Sequence, residues 1–478
     1  MKTRSAGAVG LMFILFGSVA GVFTDASAQS LTTLHSFRAG PEDGAEPSTG
    51  RLIADGAGNL YGTTFGGGSD QSYGTIFKMT PTGTETVLHR FNGEDGAGPE
   101  AGLIADAAGN LYGTTKYGGL NYGTVFKLTL NPDGTYSHGI LHSFAGYPID
   151  GTAPDGLVAD AAGNLYGTTT AGGASSCGGF GCGTAFKLTR NPDGTYSETV
   201  LYSFIGRSGD GWFGGSDGQY PFSGLIADSG GNLYGTTYYG GGIGCEPYGC
   251  GTVFRLTPNP DGSYSESVLH SFSGGSDGAA PYAGLLADTG GNLYGTTSTG
   301  GGAVVCSAGC GTVFKLTVNP DGTYSESVLH SFAGGSDGEA PYADLIADAA
   351  GNLYGTTSAG GVVDAFGTVF VLRPTGALVV LHRFTFGEGA NPFAGLMADA
   401  AGNLYGTTHA GGSDNFGTVF KQTVSATFAG VPGMSDCTGR SISFLATEFG
   451  GIAHAATALG YASVKDLKNA VAAYCAGQ

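Results

Sequence analysis

Basic charge is what this sequence has least of. Only 19 Lys and Arg stand against 38 Asp and Glu in 478 residues, a formal net charge of −19. Binding nucleic acid requires a basic face to neutralise phosphates, so that class of partner is excluded. Charged residues of both signs reach only 12%. So few Lys and Glu, with many Thr, Tyr, Phe and Val, argue for strands and against helices. Tryptophan occurs once, as Trp212. After Phe23 no apolar run is long enough to cross a bilayer, so the mature chain is expected to carry no transmembrane span. Nucleophile elbows, metalloprotease helices and phosphate loops are all missing. Paired carboxylates for glycoside cleavage would leave no local signature, because the partners would be distant in sequence.

Glycine is what the chain has in excess, with 92 residues. Fourteen of these belong to one heptapeptide, Gly-Asn-Leu-Tyr-Gly-Thr-Thr, which begins at Gly58, Gly109, Gly163, Gly231, Gly291, Gly351 and Gly402. A unit of this period is too small to bury its own core, so the chain is an array. Each unit holds four short β-rich segments: Gly-Leu-Ile-Ala-Asp (102–106), Asn-Leu-Tyr-Gly-Thr-Thr, Gly-Thr-Val-Phe-Lys-Leu-Thr (311–317) and Leu-His-Ser-Phe (329–332). Asn-Pro-Asp-Gly turns at Asn131, Asn191, Asn259 and Asn319 join the third segment to the fourth. Four antiparallel strands per unit predict an all-β, seven-bladed β-propeller over residues 29–427. The mature chain opens on a fourth segment, Leu31–Phe37, and the last repeat stops at a third, Gly417–Thr423. The first strand is therefore expected to complete the last blade and close the ring.

The ends predict export. Lys2 and Arg4, the apolar stretch Ala8–Phe23 and the small-residue site Ala26-Ser27-Ala28 read as a signal peptide over 1–28. The location is thus periplasmic or extracellular. Eight cysteines in local pairs agree: Cys177/Cys182, Cys245/Cys250, Cys306/Cys310 and Cys437/Cys475 are read as disulfides rather than zinc ligands. Residues 428–478 lose the repeat and take helical spacing from Ser463 to Tyr474. They predict a small α-helical appendage stapled by the last pair.

Asp-Ala-Ala-Gly-Asn-Leu-Tyr-Gly-Thr-Thr, Gly-Thr-Val-Phe-Lys-Leu-Thr and Leu-His-Ser-Phe, taken in that order, resemble the Gloeobacter–Verrucomicrobium tandem repeat of exported, choice-of-anchor bacterial proteins. The resemblance covers residues 31–423. It implies an exported repeat protein with a variable C-terminal sorting segment and implies no particular activity. This chain departs from it in lacking an apolar anchor followed by a basic tail. The opening of each unit is also similar to NHL-type propeller repeats.

In a propeller the 4→1 and 2→3 connections share one face. Here that face carries all the variation between units, and function is expected there. Three features of it stand out. An acid precedes most blades (Asp43, Asp95, Asp150, Asp217, Asp277, Asp337 and Glu388). These acids are read as turn-capping residues; as a cation rim they would suit calcium. An insertion at 207–214 carries Trp212 and Phe213, with Phe180, Tyr238, Tyr239 and Tyr248 on nearby loops. Together they form a candidate stacking platform for a glycan or a protein. Cysteine loops on three successive units would stiffen the same surface. His35, His89, His142, His270, His330 and His382 recur at one repeat position, with Tyr202 in the remaining unit, and are read as structural. The leading expectation is a non-enzymatic scaffold binding an extracellular ligand, without cofactor. The alternatives are a polysaccharide lyase or hydrolase at the ring centre and a purely structural surface protein. An enzyme would need acids or bases that break the ring's symmetry.

Overall fold

The computed structural model describes residues 30–206, 215–242, 244–303, 305–361, 366–424, 452 and 463–475. Seven four-stranded antiparallel sheets follow one another along the chain. The first blade runs Ile53–Ala54, Leu60–Thr64, Thr75–Met79 and Glu85–Arg90, from the innermost strand outwards. The seventh is built from Met397–Ala398, Leu404–Thr408 and Thr418–Gln422, with Leu31–Ser36 as its outer strand. Leu31 pairs with Gln422 and Ser36 with Thr418, so the first strand does complete the last blade.

The ring is held by one apolar cluster at each seam. Phe37, Met397 and Tyr405 pack with Leu52, Leu60 and Phe77, joining blade seven to blade one. The phenylalanine closing each fourth strand meets the third-strand phenylalanine of the next blade edge-to-face. Phe37–Phe77, Phe204–Phe254 and Phe384–Phe420 have centroids 5.4, 5.1 and 5.1 Å apart. This geometry suits the ring quadrupoles. It also explains the glycine of Leu-Tyr-Gly-Thr-Thr: a Cβ on Gly235 would lie 2.6 Å from Phe254 Cζ. The buried threonines pair across strands, as Thr237 Oγ1 does with Thr252 Oγ1 at 2.8 Å.

Among the described residues of the tail, one helix spans Val464–Cys475, with Leu467 and Val471 buried. Among the described residues three disulfides form: Cys177–Cys182, Cys245–Cys250 and Cys306–Cys310. They are characteristic of a chain that matures in an oxidising compartment. The expected signal peptide, Trp212, Phe213, Cys437 and the Cys475 side chain lie outside the described residues. No helix among the described residues is long and apolar enough to cross a membrane.

Candidate functional site

The varied face is organised by an elbow repeated in every blade. The residue before the proline that opens each inner strand has a left-handed backbone: Glu46, Gly98, Ala153, Tyr220, Ala280, Ala340 and Asn391, with φ from 53° to 60°. Only one of these is glycine, and the conformation is strained for the rest. Two backbone bonds hold it. Ala280 N–H donates to Cys250 O of the preceding blade at 2.8 Å, and Ala280 O accepts from Ser298 N–H at 3.1 Å. The elbow sets the residue after the proline at the axial mouth. Those residues are Ser48, Glu100, Asp155, Phe222, Tyr282, Tyr342 and Phe393.

This ring is not symmetric. Blades four to seven supply a continuous aromatic arc. Phe222 stacks on Tyr282 at 5.0 Å, Tyr282 meets Tyr342 at 5.3 Å, and Tyr342 meets Phe393 at 5.6 Å. Tyr238 closes on Phe222 at 5.3 Å, and His409 packs on Phe393 at 5.4 Å. Blades one to three supply a polar arc. Lys116 Nζ lies 2.6 Å from Glu100 Oε2, Ser48 Oγ donates to Glu100 Oε1 at 3.3 Å, and Thr170 Oγ1 donates to Asp155 Oδ2 at 2.9 Å.

Burial and proximity set the charges. Asp155 is buried, and burial with the neighbouring Glu100 charge pushes its carboxyl up to about 7, against the opposing pull of Lys116 and Thr170. Burial works against the Lys116 ammonium, but Glu100 outweighs it and holds the amine above its ordinary value. The Tyr282 hydroxyl is pushed up by burial and then by the charges of Glu100 and Asp155. The acids of blades two and three therefore act electrostatically on a tyrosine of blade five. Acid, base and aromatic side chains at this mouth thus break the ring's repeat.

The residues singled out in the sequence are distributed around this centre. Tyr238 is part of it. Tyr239 packs on Tyr238 at 4.6 Å and stacks on Tyr248 at 5.1 Å, so three of the expected aromatics form one patch leading outwards. Phe180 stands apart on the blade-three cysteine loop, 66% exposed. The rim acids are bound within their own blades. Asp43, Asp95, Asp150, Asp277, Asp337 and Glu388 lie 3.1–3.6 Å from the repeated histidines, and Tyr202 donates to Asp217 at 2.8 Å. Each also accepts a turn amide, as Asp150 does from Ala145 N–H. Burial raises the Asp95 and Asp150 carboxyls, but the histidine and amide bonds outweigh it and hold them below their ordinary range.

Behind the rim, Glu85, Glu198, Glu266 and Glu326 each face the acid of the preceding blade. Burial, and then that acid's charge, push their carboxyls to about 7. In the same repeat position of blade two stands His138, stacked on His89 at 4.2 Å and driven down to about 4 by burial and by His89.

Sequence reading missed Ser48, Glu100, Lys116, Asp155, Thr170, Phe222, Tyr282, Tyr342 and Phe393. A signal was present: in the units that read Pro-x-x-Gly-Leu from Pro99, Pro221, Pro281 and Pro392, the position after proline changes chemistry from unit to unit.

Fold and mouth together define a seven-bladed β-propeller with one asymmetric axial site. The Gloeobacter/Verrucomicrobia repeat matches residues 17–246 and 244–435, and the chain belongs to that family. No curated protein matches the sequence. Among solved structures, a gluconolactonase from Xanthomonas campestris is similar at 13% identity over 83% of this chain and 90% of that one, with a TM-score of 0.39. The extracellular domain of a protein from B. thetaiotaomicron, described as a hybrid two-component system, is similar at 13% identity and a TM-score of 0.49. That match covers 84% of this chain and 41% of that one.

Proposed function

We propose that this chain is an exported recognition module that binds a saccharide at the axial mouth of its varied face. The observation that supports this is the division of the ring into an aromatic arc (Phe222, Tyr282, Tyr342, Phe393) and a polar arc (Ser48, Glu100, Asp155). A pyranose has one apolar face and a hydroxylated edge, and the two arcs offer a partner to each. Tyr239 and Tyr248 extend the aromatic surface outwards. Isothermal titration against a glycan panel tests the reading. Tyr342→Ala and Glu100→Gln should each weaken binding at least tenfold in a protein that melts normally. Affinity unchanged in both variants would overturn it.

A second reading is favoured by the Asp155 carboxyl at about 7 beside the Glu100 carboxylate. A glycosidic bond lying across the mouth could take a proton from Asp155 on its leaving oxygen. Glu100 would take a proton from the water whose oxygen joins the anomeric carbon. Release of reducing ends from a polysaccharide panel, abolished by Asp155→Asn with binding retained, would establish hydrolysis; intact polymers would exclude it.

A further inference from the structure

We infer that the saccharide taken at the axial mouth carries a carboxylate, and that the Arg51 guanidinium receives it. The inference rests on the saccharide reading above and names its chemical class.

It starts from a length difference between blades. Five steps separate Pro47 from Leu52 in blade one, where four separate Pro99 from Leu103 and Pro281 from Leu285. The extra residue brings Arg51 to the place held by Gly102, Gly224, Gly284 and Gly395 in other blades. These glycines line a tight collar. A Cβ on Gly102 would lie 2.9 Å from Arg51 O. One on Gly395 would lie 3.6 Å from Arg51 Cδ and 3.4 Å from Asp344 Cβ. The Arg51 stem therefore crosses the collar towards blades six and seven.

The arrangement is not free of cost to the fold. Thr236 and Thr296 tie their blades to the next by donating to Ala283 O and Ala343 O. Thr407, the equivalent residue at the seam with the lengthened strand, has its Oγ1 buried without a partner.

Partnering decides the rest. Lys116, the other cation of the mouth, is taken by Glu100 at 2.6 Å. Asp344 is taken by the backbone N–H of Gly284 at 2.6 Å. Arg51 has no hydrogen bond and no ion pair within the described residues. A guanidinium presents a planar fork that fits a carboxylate with two parallel bonds. A neutral sugar would offer that fork only uncharged hydroxyl acceptors, without the charge assistance of a carboxylate. A phosphate dianion would meet Glu100 and Asp344 with one free cation among the described residues to offset them, so a single negative charge fits the local balance better.

The probes are galacturonate and glucuronate trisaccharides beside their methyl esters, titrated calorimetrically into the full chain and into Arg51→Gln and Arg51→Lys. The wild type should bind at least one acid about tenfold more tightly than its ester, the value of one charge-assisted bond. Arg51→Gln should bring the acid down to the ester's affinity and leave the ester unchanged, and Arg51→Lys should restore part of the preference. Equal binding of acid and ester by the wild type would overturn this inference and leave the saccharide reading standing. So would an Arg51→Gln effect of the same size on both. Binding of neither probe would overturn it as well, and the neutral glycan panel then judges the saccharide reading separately.

Discussion

The carbonyl oxygen of Cys250 accepts a 2.8 Å hydrogen bond from the backbone N–H of Ala280 and so ties a disulfide loop to the elbow that presents Tyr282. The same bond runs from Tyr220 to Cys182 O at 2.9 Å and from Ala340 to Cys310 O at 2.9 Å. The three cysteine loops therefore buttress the elbows of Phe222, Tyr282 and Tyr342, three of the four residues in the aromatic arc. Disulfides that close such short loops contribute modestly to global stability, about 2 kcal/mol each in the chain-entropy model. Their larger effect is local, on how firmly the arc is held.

The paired variant Cys245→Ser, Cys250→Ser should lose about 2 kcal/mol in chemical denaturation. Hydrogen exchange at the Ala280 amide should accelerate, while the equivalent amide of Gly98, bonded to Tyr73 O in a blade without cysteines, should not change. Uniform acceleration across the ring would show that the loop acts only globally.

Replacing Gly235 by Ala places a methyl 2.6 Å from Phe254 Cζ inside a packed seam. The expected cost is about 1–3 kcal/mol. Gly262, at φ 88° with nothing within 4 Å of an added Cβ, should cost about 1–2 kcal/mol on substitution by Ala, from the left-handed backbone alone. Urea denaturation of the two variants compares packing with backbone strain directly.

Glu85, Glu198, Glu266 and Glu326 have carboxyls at about 7 in the folded protein, raised from 4.5. A raised folded value means that their contribution is fully present below the unfolded value and is lost as pH rises through about 7. His138, driven to about 4, works in the opposite sense: its contribution is present above 6.5 and is lost as pH falls towards 4. Thermal melts of wild type and of the fourfold Glu→Gln variant, at pH 5 and pH 8, isolate the carboxyls, because His138 is common to both proteins. The variant should gain on the wild type between pH 5 and pH 8. Parallel melting curves at both values would show that these carboxyls ionise normally.

Deletion of residues 30–37 removes the outer strand of blade seven and Phe37, which is fully buried against Phe77. It also bares the Thr418–Gln422 edge. A lower melting temperature and self-association on size exclusion are expected. A synthetic peptide of the deleted segment, added back, should reverse both.

How much of this was legible in the sequence follows from what repetition encodes. Strand order, blade number and ring closure all rest on residues that recur, such as the glycine facing Phe254 and the phenylalanine pairs of the seams, and these were readable. The rim acids and the histidines were each seen to recur, but their pairing was not, because the two lie on different segments and meet only when the fourth strand turns. The axial mouth was missed for the opposite reason. Glu100, Asp155 and Tyr282 share a repeat position but no chemistry, so a search for what recurs passes over them. Arg51 was hidden by a one-residue change of length. Tyr238 was found, though as part of an outer patch rather than of the axis.

Among the described residues, Leu31–Ser36 are made before every other strand, yet their sheet partner, Thr418–Gln422, is made after every other strand. An emerging chain must keep that leading segment unpaired while six complete sheets form behind it, a closure of high contact order. The circle can shut only once the last strand has been made, and any factor that shields one exposed β-edge during that interval would govern the yield of folded protein.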